Sequence, residues 1–269
     1  YNTFNYPTIT YCNSSPNQTP TLLAGAVAGT YSAVRVGDGS TTAMVINPTT
    51  GEINFVSSQP GTYTVTSTLI PTLPAPASNA PIITTRTVII TPTPNATIAY
   101  GSPTYCKSNV NSQPIIITGN TGIGTTYSST PVGLENALDP VTGSIIPVLG
   151  NVGIYTVTLT VPAQGGCPQY TTTTQVEIIA SPIIPAQVDV NACNSYVLPA
   201  LTVGNYFTAT GGTGTQLNAG DVITTNQTIY VYATNGQCAS EDPFNVNIVS
   251  IPTPTFDYLT QPTCAVQTG

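Results

Sequence analysis

Apolar and polar residues alternate along a stretch in the middle of the chain, from Gly153 to Val161. Tyr155, Val157 and Leu159 fall on one face of an extended segment, and threonines fill most of the other face. Because successive side chains of a β-strand point to opposite faces, this pattern predicts a strand with one buried and one solvated face. Similar segments rich in Thr, Val, Ile and Tyr, punctuated by Pro and Gly, recur along the sequence and predict an all-β fold.

A short turn containing Gly153 delivers Tyr155 into this strand, and Gly61 precedes Tyr63 in the same way. The arrangement resembles the tyrosine corner of immunoglobulin-like sandwiches, in which the phenol hydroxyl bonds to nearby backbone. We therefore expect Tyr63 and Tyr155 to be buried, with their hydroxyl groups bonded to the backbone that precedes each strand.

The two tyrosine segments belong to a longer internal repeat. Residues 47–53 (NPTTGEI) align with residues 139–145 (DPVTGSI), and residues 61–66 (GTYTVT) align with residues 153–158 (GIYTVT). Both matches have an offset of 92 positions, close to the length of one immunoglobulin-like domain. The sequence therefore predicts tandem immunoglobulin-like β-sandwich domains arranged end to end.

A second signature marks three of the repeat starts: an apolar residue, any residue, a tyrosine, and a cysteine six positions later. It occurs at Phe4-x-Tyr6 with Cys12, at Ile98-x-Tyr100 with Cys106, and at Phe256-x-Tyr258 with Cys264. Short segments with two prolines separate the repeats and predict semi-rigid junctions. We interpret residues 1–91 as repeat 1, 92–180 as repeat 2, 181–250 as a shorter repeat 3, and 251–269 as the start of a further repeat in a piece of a longer protein.

Six cysteines in a chain without histidine do not form a recognisable zinc motif. Cys106 and Cys167 bracket repeat 2, and Cys193 and Cys238 bracket repeat 3, so the simplest prediction is a disulfide bond within each of these repeats. Such bonds indicate an oxidising, extracellular location. Cys12 has no cysteine at the position of repeat 1 that matches Cys167, near Ala75, and is expected to be a free buried thiol.

Charge is scarce and mostly negative. The sequence has 3 Lys and Arg residues against 10 Asp and Glu, and charged residues make up 5% of the chain, compared with about 25% in an average globular domain. Three cations cannot neutralise a phosphate backbone, so nucleic acid is excluded as a partner, and anionic membrane surfaces are equally poor candidates. No apolar run reaches the roughly 20 residues of a membrane span, so no membrane insertion is expected.

The sequence offers little catalytic chemistry. Without histidine and with one lysine, Ser-His-Asp and Cys-His mechanisms cannot be assembled. Two carboxylate pairs could in principle serve a glycosidase, but we interpret them as solvated turn residues: Glu135 with Asp139, and Glu241 with Asp242. Carboxylates near the junctions are isolated, so neither calcium nor another cofactor is expected: Glu177, Asp189, Asp242 and Asp257. The glycines of residues 211–214 are interpreted as a flexible loop, since no helix follows them.

Four phrases of repeat 2 carry a family resemblance: residues 128–134 (SSTPVGL), 139–147 (DPVTGSIIP), 153–158 (GIYTVT) and the pair Gly166-Cys167. Together they resemble the repeats of giant surface adhesins of Bacteroidetes, especially the SprB-type gliding-motility adhesin. Repeat 3 resembles a companion repeat of such proteins. The resemblance implies export by the type IX secretion system, display on the cell surface and movement by the gliding motor, and it supplies no catalytic residues.

The sequence thus leads to a non-enzymatic stalk that binds extracellular surfaces or glycans weakly and in many copies. Contacts with gliding and secretion machinery are expected to lie outside this segment. The alternative is a carbohydrate-binding or spacer array of a secreted polysaccharide-processing protein; the absence of Trp favours the stalk. Repeat 1, expected to lack a crosslink, should be the mechanically weakest unit.

Overall fold

The structure is a computed structural model that describes residues 1–72 and 80–250. The chain divides into two compact units, Tyr1–Ile179 and Ala180–Gly269. The first unit contains repeats 1 and 2, and the second contains repeat 3. The segment near Ala75 and the fourth repeat start with Asp257 and Cys264 lie outside the described residues.

Repeat 1 is built from a four-stranded sheet and two small two-stranded sheets. Its strands are β1 (Phe4–Asn5), β2 (Thr10–Cys12), β3 (Thr21–Leu22), β4 (Thr30–Arg35), β5 (Val45–Ile46), β6 (Ile53–Asn54), β7 (Gly61–Leu69) and β8 (Ile82–Thr91). The large sheet has the order β2-β8-β7-β4, and the small sheets pair β1 with β3 and β5 with β6.

Repeat 2 has the same main sheet. Its elements are β9 (Thr97–Tyr100), β10 (Thr104–Cys106), β11 (Ile115–Thr118), β12 (Thr126–Thr130), the 3-10 turn Pro147–Leu149, β13 (Gly153–Val161) and β14 (Tyr170–Ile179). The order β10-β14-β13-β12 matches that of repeat 1 strand for strand, and β9 pairs with β11.

Repeat 3 keeps this plan and adds an edge strand. Its strands are β15 (Val190–Cys193), β16 (Tyr196–Val197), β17 (Asn205–Ala209), β18 (Thr213–Leu217), β19 (Val222–Ile223), β20 (Gln227–Asn235) and β21 (Cys238–Val249). The five-stranded sheet has the order β15-β21-β20-β17-β18, and β16 pairs with β19.

One topology is therefore used three times. The last two strands form a long antiparallel hairpin, an earlier strand adds to one side, and the short cysteine-bearing strand runs parallel to the last strand on the other side. This confirms the expected all-β fold of tandem immunoglobulin-like sandwiches. No helix among the described residues has the length and apolar character needed to cross a membrane.

Each repeat has its own hydrophobic core, supplied by the alternate positions of its long strands. In repeat 2, Tyr155, Val157 and Leu159 of β13 are buried, as the period-two pattern predicts. Tyr63 and Val65 of β7 have this role in repeat 1. In repeat 3, Ile229 and Val231 of β20 are buried in the core.

The aligned NPTTG and DPVTG motifs form equivalent turns. Asn47 Oδ1 accepts hydrogen bonds from the amides of Thr49 and Thr50 at 2.9 and 3.1 Å. Asp139 Oδ1 accepts equivalent bonds from Val141 and Thr142 at 2.8 and 3.1 Å. Such side-chain-to-backbone bonds are the reason that Asn and Asp favour turns.

The glycine that ends each of these motifs packs closely against the ring of a buried tyrosine. Gly51 and Gly143 have φ values of 71° and 72°, a region that suits glycine. A Cβ atom on Gly143 would lie 2.7 Å from the ring of Tyr127, and one on Gly51 would lie 2.9 Å from the ring of Tyr31. The turn therefore needs glycine for both backbone geometry and space.

Candidate functional site: the junction of repeats 1 and 2

A disulfide bond joins repeat 1 to repeat 2. Cys12, at the end of β2, is bonded to Cys167, which lies between β13 and β14. The two Cα atoms are 4.5 Å apart, although the residues are separated by 155 positions in sequence. Cys106 and Cys238 are also disulfide-bonded, and Cys193 is free and exposed.

These findings correct the predicted crosslinks. The Cys106–Cys167 bond is wrong because Cys167 is bonded to Cys12. The Cys193–Cys238 bond is wrong because Cys193 is a free thiol. Cys12 is buried as expected, but it is not a thiol. The basis for treating repeat 1 as the uncrosslinked, mechanically weakest unit is removed with it.

Sheet geometry explains why bonds within a repeat cannot form. Cys106 pairs with Ile179 at the end of β14, whereas Cys167 precedes Tyr170 at the start of that strand. Strands rise about 3.3 Å per residue, so these positions lie roughly 30 Å apart. A disulfide bond requires Cα atoms within about 7 Å.

The same separation holds in repeat 3. Cys193 pairs with Val249 at the end of β21, and Cys238 begins that strand. We call the end of the sheet where the last strand ends the exit end, and the end where the last two strands are joined the hairpin end. Cys12, Cys106 and Cys193 lie at exit ends, and Cys167 and Cys238 lie at hairpin ends. The Cys12–Cys167 bond thus connects the exit end of repeat 1 to the hairpin end of repeat 2.

The hairpin of repeat 2 owes its close approach to two glycines. Gln164 and Cys167 exchange backbone hydrogen bonds of 3.1 and 2.8 Å around the loop Gly165-Gly166. The loop residues have φ values of 56° and 78°, as a two-residue hairpin turn with two positive φ angles requires. This geometry places Cys167 against the exit end of repeat 1.

Side chains larger than hydrogen would not fit in this loop. A Cβ atom on Gly166 would lie 2.8 Å from the carbonyl oxygen of Thr10, and one on Gly165 would lie 2.5 Å from Cγ2 of Thr91. The glycines therefore serve the contact between the repeats as well as the turn. The sequence Gly165-Gly166-Cys167 is the signal that could have identified this contact.

Polar contacts surround the disulfide bond. The hydroxyl group of Thr91 lies 3.1 Å from the carbonyl oxygen of Tyr11 and within hydrogen-bond distance of that of Gly165. The Thr93 hydroxyl lies 3.3 Å from Cys12 Sγ. A cleft of about 320 Å³ opens beside the bond, between the junction prolines Pro92 and Pro94 and the hairpin, and no charged side chain lines it.

The corner tyrosines have the geometry expected of them. The hydroxyl of Tyr155 donates to the carbonyl oxygen of Asn151 at 2.9 Å, and that of Tyr63 lies 2.6 Å from the carbonyl oxygen of Gln59. Both side chains are buried, and burial raises the pKa of each phenol. They stabilise the corner before the strand and are not available to a ligand.

A second pair of tyrosines links the two sequence signatures. The sequence alone did not predict this contact. Tyr6 donates a hydrogen bond to the carbonyl oxygen of Gly51 at 2.5 Å, and Tyr100 donates to that of Gly143 at 2.7 Å. Burial is the main cause that raises the pKa of both phenols. The repeat-start tyrosine therefore holds the NPTTG or DPVTG turn of the same repeat.

The proposed carboxylate pairs have local structural roles. Glu135 accepts a hydrogen bond from the amide of Gly133 at 2.7 Å, and Asp139 holds the turn described above. Glu241 accepts from the amide of Gly211 at 2.5 Å, and Asp242 accepts from that of Gln187 at 2.6 Å. The interpretation as solvated turn residues holds for Glu135 and Asp139, which are exposed and lie outside the strands, but it is wrong for Glu241 and Asp242, which are half-buried within β21.

The glycine segment of residues 211–214 forms the hairpin between β17 and β18, with Thr213 and Gly214 inside β18. The interpretation as a loop therefore holds for Gly211 and Gly212 and is wrong for Thr213 and Gly214. Asp189 accepts bonds from Asn245, and the backbone bond is the main cause that lowers its pKa. Within residues 1–72 and 80–250, no group of three or more His, Cys, Asp or Glu residues could hold a metal ion.

The basic residues are also engaged in local contacts. Arg35 forms an ion pair with Asp38 at 3.5 Å. Arg86 lies over the ring of Phe4, 5.7 Å from its centroid. Lys107 donates to the carbonyl oxygen of Val148 at 2.6 Å. The three cations are thus dispersed and do not form a basic patch.

Comparisons with known proteins add little to this description. No protein-family model and no curated protein matches the chain. Among solved structures, extracellular domains 3–5 of Drosophila OTK are similar, with a TM-score of 0.34, 13% identity, and coverage of 91% of this chain and 97% of that one. The titin I-band fragment I67–I69 gives a TM-score of 0.35, 8% identity, and coverage of 93% and 98%.

Sidekick-1 immunoglobulin domains 1–5 are also similar, with a TM-score of 0.34 and 12% identity over 92% of this chain and 59% of that one. The chain thus matches about three fifths of the length of that structure. Likenesses at this level carry no functional argument, and the fold assignment rests on the strand topology described above.

Proposed function

We propose that this chain is a non-enzymatic stalk segment of a large secreted cell-surface adhesin. The observation that carries the proposal is the Cys12–Cys167 bond, which joins one repeat to the next. A bond inside a repeat would stabilise that repeat alone, whereas this bond connects the exit end of repeat 1 directly to the hairpin end of repeat 2. Disulfide bonds of this kind persist in oxidising, extracellular environments.

The bond changes the path that a pulling force takes. Tension applied at Tyr1 reaches Cys12 and crosses the sulfur atoms to Cys167, so residues 13–166 carry none of it. The bypassed part includes nearly all of repeat 1 and most of repeat 2. A stalk built in this way resists lengthening even when its sandwiches lose their packing.

The adhesive part of the proposal comes from the outer faces of the sheets and from the family resemblance. In repeat 2, Ser128, Thr158 and Thr173 lie side by side on neighbouring strands, and their uncharged hydroxyl groups suit weak contact with glycans or solid surfaces. Strength would then come from many copies along one molecule. Export by the type IX system and a role in gliding motility and surface attachment follow from the resemblance to SprB-type adhesins.

The alternative of a carbohydrate-binding or spacer array has less support. Sugar-binding surfaces present aromatic rings, which offer apolar area together with a polar edge. Among the described residues, Tyr1 is the single aromatic side chain that is exposed; the others are buried or half-buried. The rings of this chain are used mainly in its cores.

Single-molecule pulling tests the stalk proposal. With handles attached by non-thiol chemistry at Tyr1 and Ala180, the oxidised protein should extend little, because the 155-position separation between the bonded cysteines remains closed. At roughly 3.3–3.6 Å per residue, a double variant Cys12→Ser with Cys167→Ser should release about 500 Å more.

The matched control is Cys193→Ser, which leaves Cys12 and Cys167 in place and should extend like the original protein. Equal extension of the original chain and the double variant would disprove the proposal that tension crosses the disulfide bond and bypasses residues 13–166. A glycan array probed with the same proteins tests adhesion separately, because removal of the Cys12–Cys167 bond should leave surface binding unchanged.

A further inference from the structure

The first cysteines of repeats 1, 2 and 3 occupy one structural position. Each ends a short strand that runs parallel to the last strand of its own repeat, and each lies beside the final residue of that last strand. The pairs are Cys12 with Thr91, Cys106 with Ile179, and Cys193 with Val249. The residue after each cysteine donates its amide to that final residue, at 2.8 Å from Asn13, 2.9 Å from Lys107 and 3.0 Å from Asn194.

In repeat 1 this position is occupied. The hairpin of repeat 2 covers Cys12, which is 1% exposed, and Gly166 approaches the backbone of β2 so closely that a Cβ atom would lie 3.0 Å from the amide nitrogen of Cys12. The equivalent Cys106 is disulfide-bonded as well. Two of the three exit-end cysteines therefore already take part in disulfide bonds.

In repeat 3 the position is open. Cys193 is a free, exposed thiol, and Val249 beside it is 57% exposed. The local sequence is also the same: Cys193-Asn194-Ser195 repeats Cys12-Asn13-Ser14. The exposed thiol thus lies on a strand end with the backbone arrangement that receives a hairpin in repeat 1.

We propose that Cys193 is a covalent docking site for the cysteine hairpin of a repeat that follows repeat 3. The occupant is defined by its chemistry: a two-residue hairpin loop with glycine in it, followed by cysteine, as in Gly165-Gly166-Cys167. The signature Phe256-x-Tyr258 with Cys264 shows that a new repeat sequence begins directly after repeat 3. Cys264 matches the exit-end cysteines in that signature, so it is not the partner.

The bond forms by oxidation of two thiols. The Cys193 thiol and the hairpin thiol lose two electrons and two protons in total and form one S–S bond. The oxidant is a disulfide, either a small molecule such as oxidised glutathione or a protein, and it is reduced to two thiols. A bond at this docking site would link repeat 3 to a further repeat, as the Cys12–Cys167 bond links repeats 1 and 2. The proposal rests on the local geometry of Cys193 and does not depend on an adhesive function.

A tandem chain tests the proposal. Residues 1–249 followed directly by residues 92–180 place repeat 2 after repeat 3 with the junction sequence that follows repeat 1, and they leave Cys193 present once in the chain. After oxidation by glutathione disulfide, non-reducing peptide mapping should recover a Cys193–Cys167 linked peptide beside the Cys12–Cys167 peptide. Alkylation of Cys193 in the folded state should fall at least tenfold relative to the 269-residue chain.

Two variants serve as controls. Cys167→Ser in the appended copy should abolish the new linked peptide and restore alkylation of Cys193. Gly166→Val in the appended copy keeps the thiol but blocks the close approach of the hairpin, so it should also leave Cys193 reactive. The Cys12–Cys167 peptide shows in each case that the first copy has folded.

A second tandem chain, residues 1–255 followed by residues 98–180, keeps the natural junction of repeat 3 and covers the case in which the first chain does not fold. Recovery of Cys193 as a thiol in a chain that contains the Cys12–Cys167 bond would overturn the proposal. Recovery of Cys193 bonded to Cys264 in the oxidised 269-residue chain would overturn it equally.

Discussion

At the scale of single residues, the tyrosines of this chain act as internal hydrogen-bond donors that hold turns in place. Tyr155 bonds to the backbone four residues before it, and Tyr100 bonds to Gly143 across the repeat. A phenol combines a large apolar ring with one polar group, so it can fill a core and still pair a backbone carbonyl that would otherwise be unsatisfied.

Tyr155→Phe tests the corner. The variant keeps the ring but leaves the carbonyl oxygen of Asn151 without its donor, so the free energy of unfolding of repeat 2 should fall by about 1–3 kcal/mol. Urea unfolding provides the measurement. Tyr230→Phe, at a half-buried position on the outer face of β20, is the control and should change stability by less than about 0.5 kcal/mol; equal stability of Tyr155→Phe and the original chain would rule the corner out.

At the scale of elements, the NPTTG and DPVTG turns provide a natural comparison between a neutral and an ionisable side chain in the same role. In repeat 2, backbone hydrogen bonds from Val141 and Thr142 are the main causes that lower the pKa of Asp139. In repeat 1, Asn47 forms the equivalent bonds without a charge. Only the turn of repeat 2 should therefore respond to acid.

Asp139→Asn should make repeat 2 less sensitive to acid. Because the folded-state pKa is lowered, the carboxylate stabilises the fold above its unfolded pKa of about 4, and this contribution is lost as the pH falls through the folded value. When unfolding midpoints are measured between about pH 2 and pH 7, the variant should lose less stability at low pH than the original chain.

The reciprocal variant, Asn47→Asp, should make the stability of repeat 1 fall at low pH. Stability at neutral pH should change little in either variant, because Asn and Asp both offer the Oδ1 acceptor that the turn uses. If Asp139→Asn loses as much stability at low pH as the original chain does, the acid-sensitive group lies elsewhere.

At the scale of the whole molecule, the structure is organised by connections between repeats as much as by the repeats themselves. The Cys12–Cys167 bond closes a loop of 155 positions that includes most of two hydrophobic cores. Since a crosslink mainly restricts the unfolded chain, a loop of this length has a large effect on stability in the chain-entropy model.

The double variant Cys12→Ser with Cys167→Ser should lower the combined free energy of unfolding of repeats 1 and 2 by roughly 3–5 kcal/mol. It should also let the two cores melt as separate transitions, which differential scanning calorimetry would resolve. Cys193→Ser is again the matched control and should leave the melting curve unchanged. A double variant that melts like the original protein would show that packing alone couples the repeats.

The sequence by itself determined the elements that depend on local periodicity. Alternation of apolar and polar residues fixed the strand β13 and its buried face, the 92-position offset identified the repetition, and Gly153 before Tyr155 indicated the corner. These features could be predicted because each depends on residues that are close in sequence and on the two-residue period of a strand.

The tertiary structure alone decided the crosslinks. Proximity in sequence suggested that Cys106 belongs with Cys167, but a sheet roughly 30 Å long separates the exit end from the hairpin end of a repeat. The link from Tyr100 to Gly143 was hidden for the same reason, because it joins segments 43 positions apart. Cysteine spacing can mark a repeat, but the parallel placement of β2 beside β8 puts Cys12 at the exit end, where it meets the next repeat.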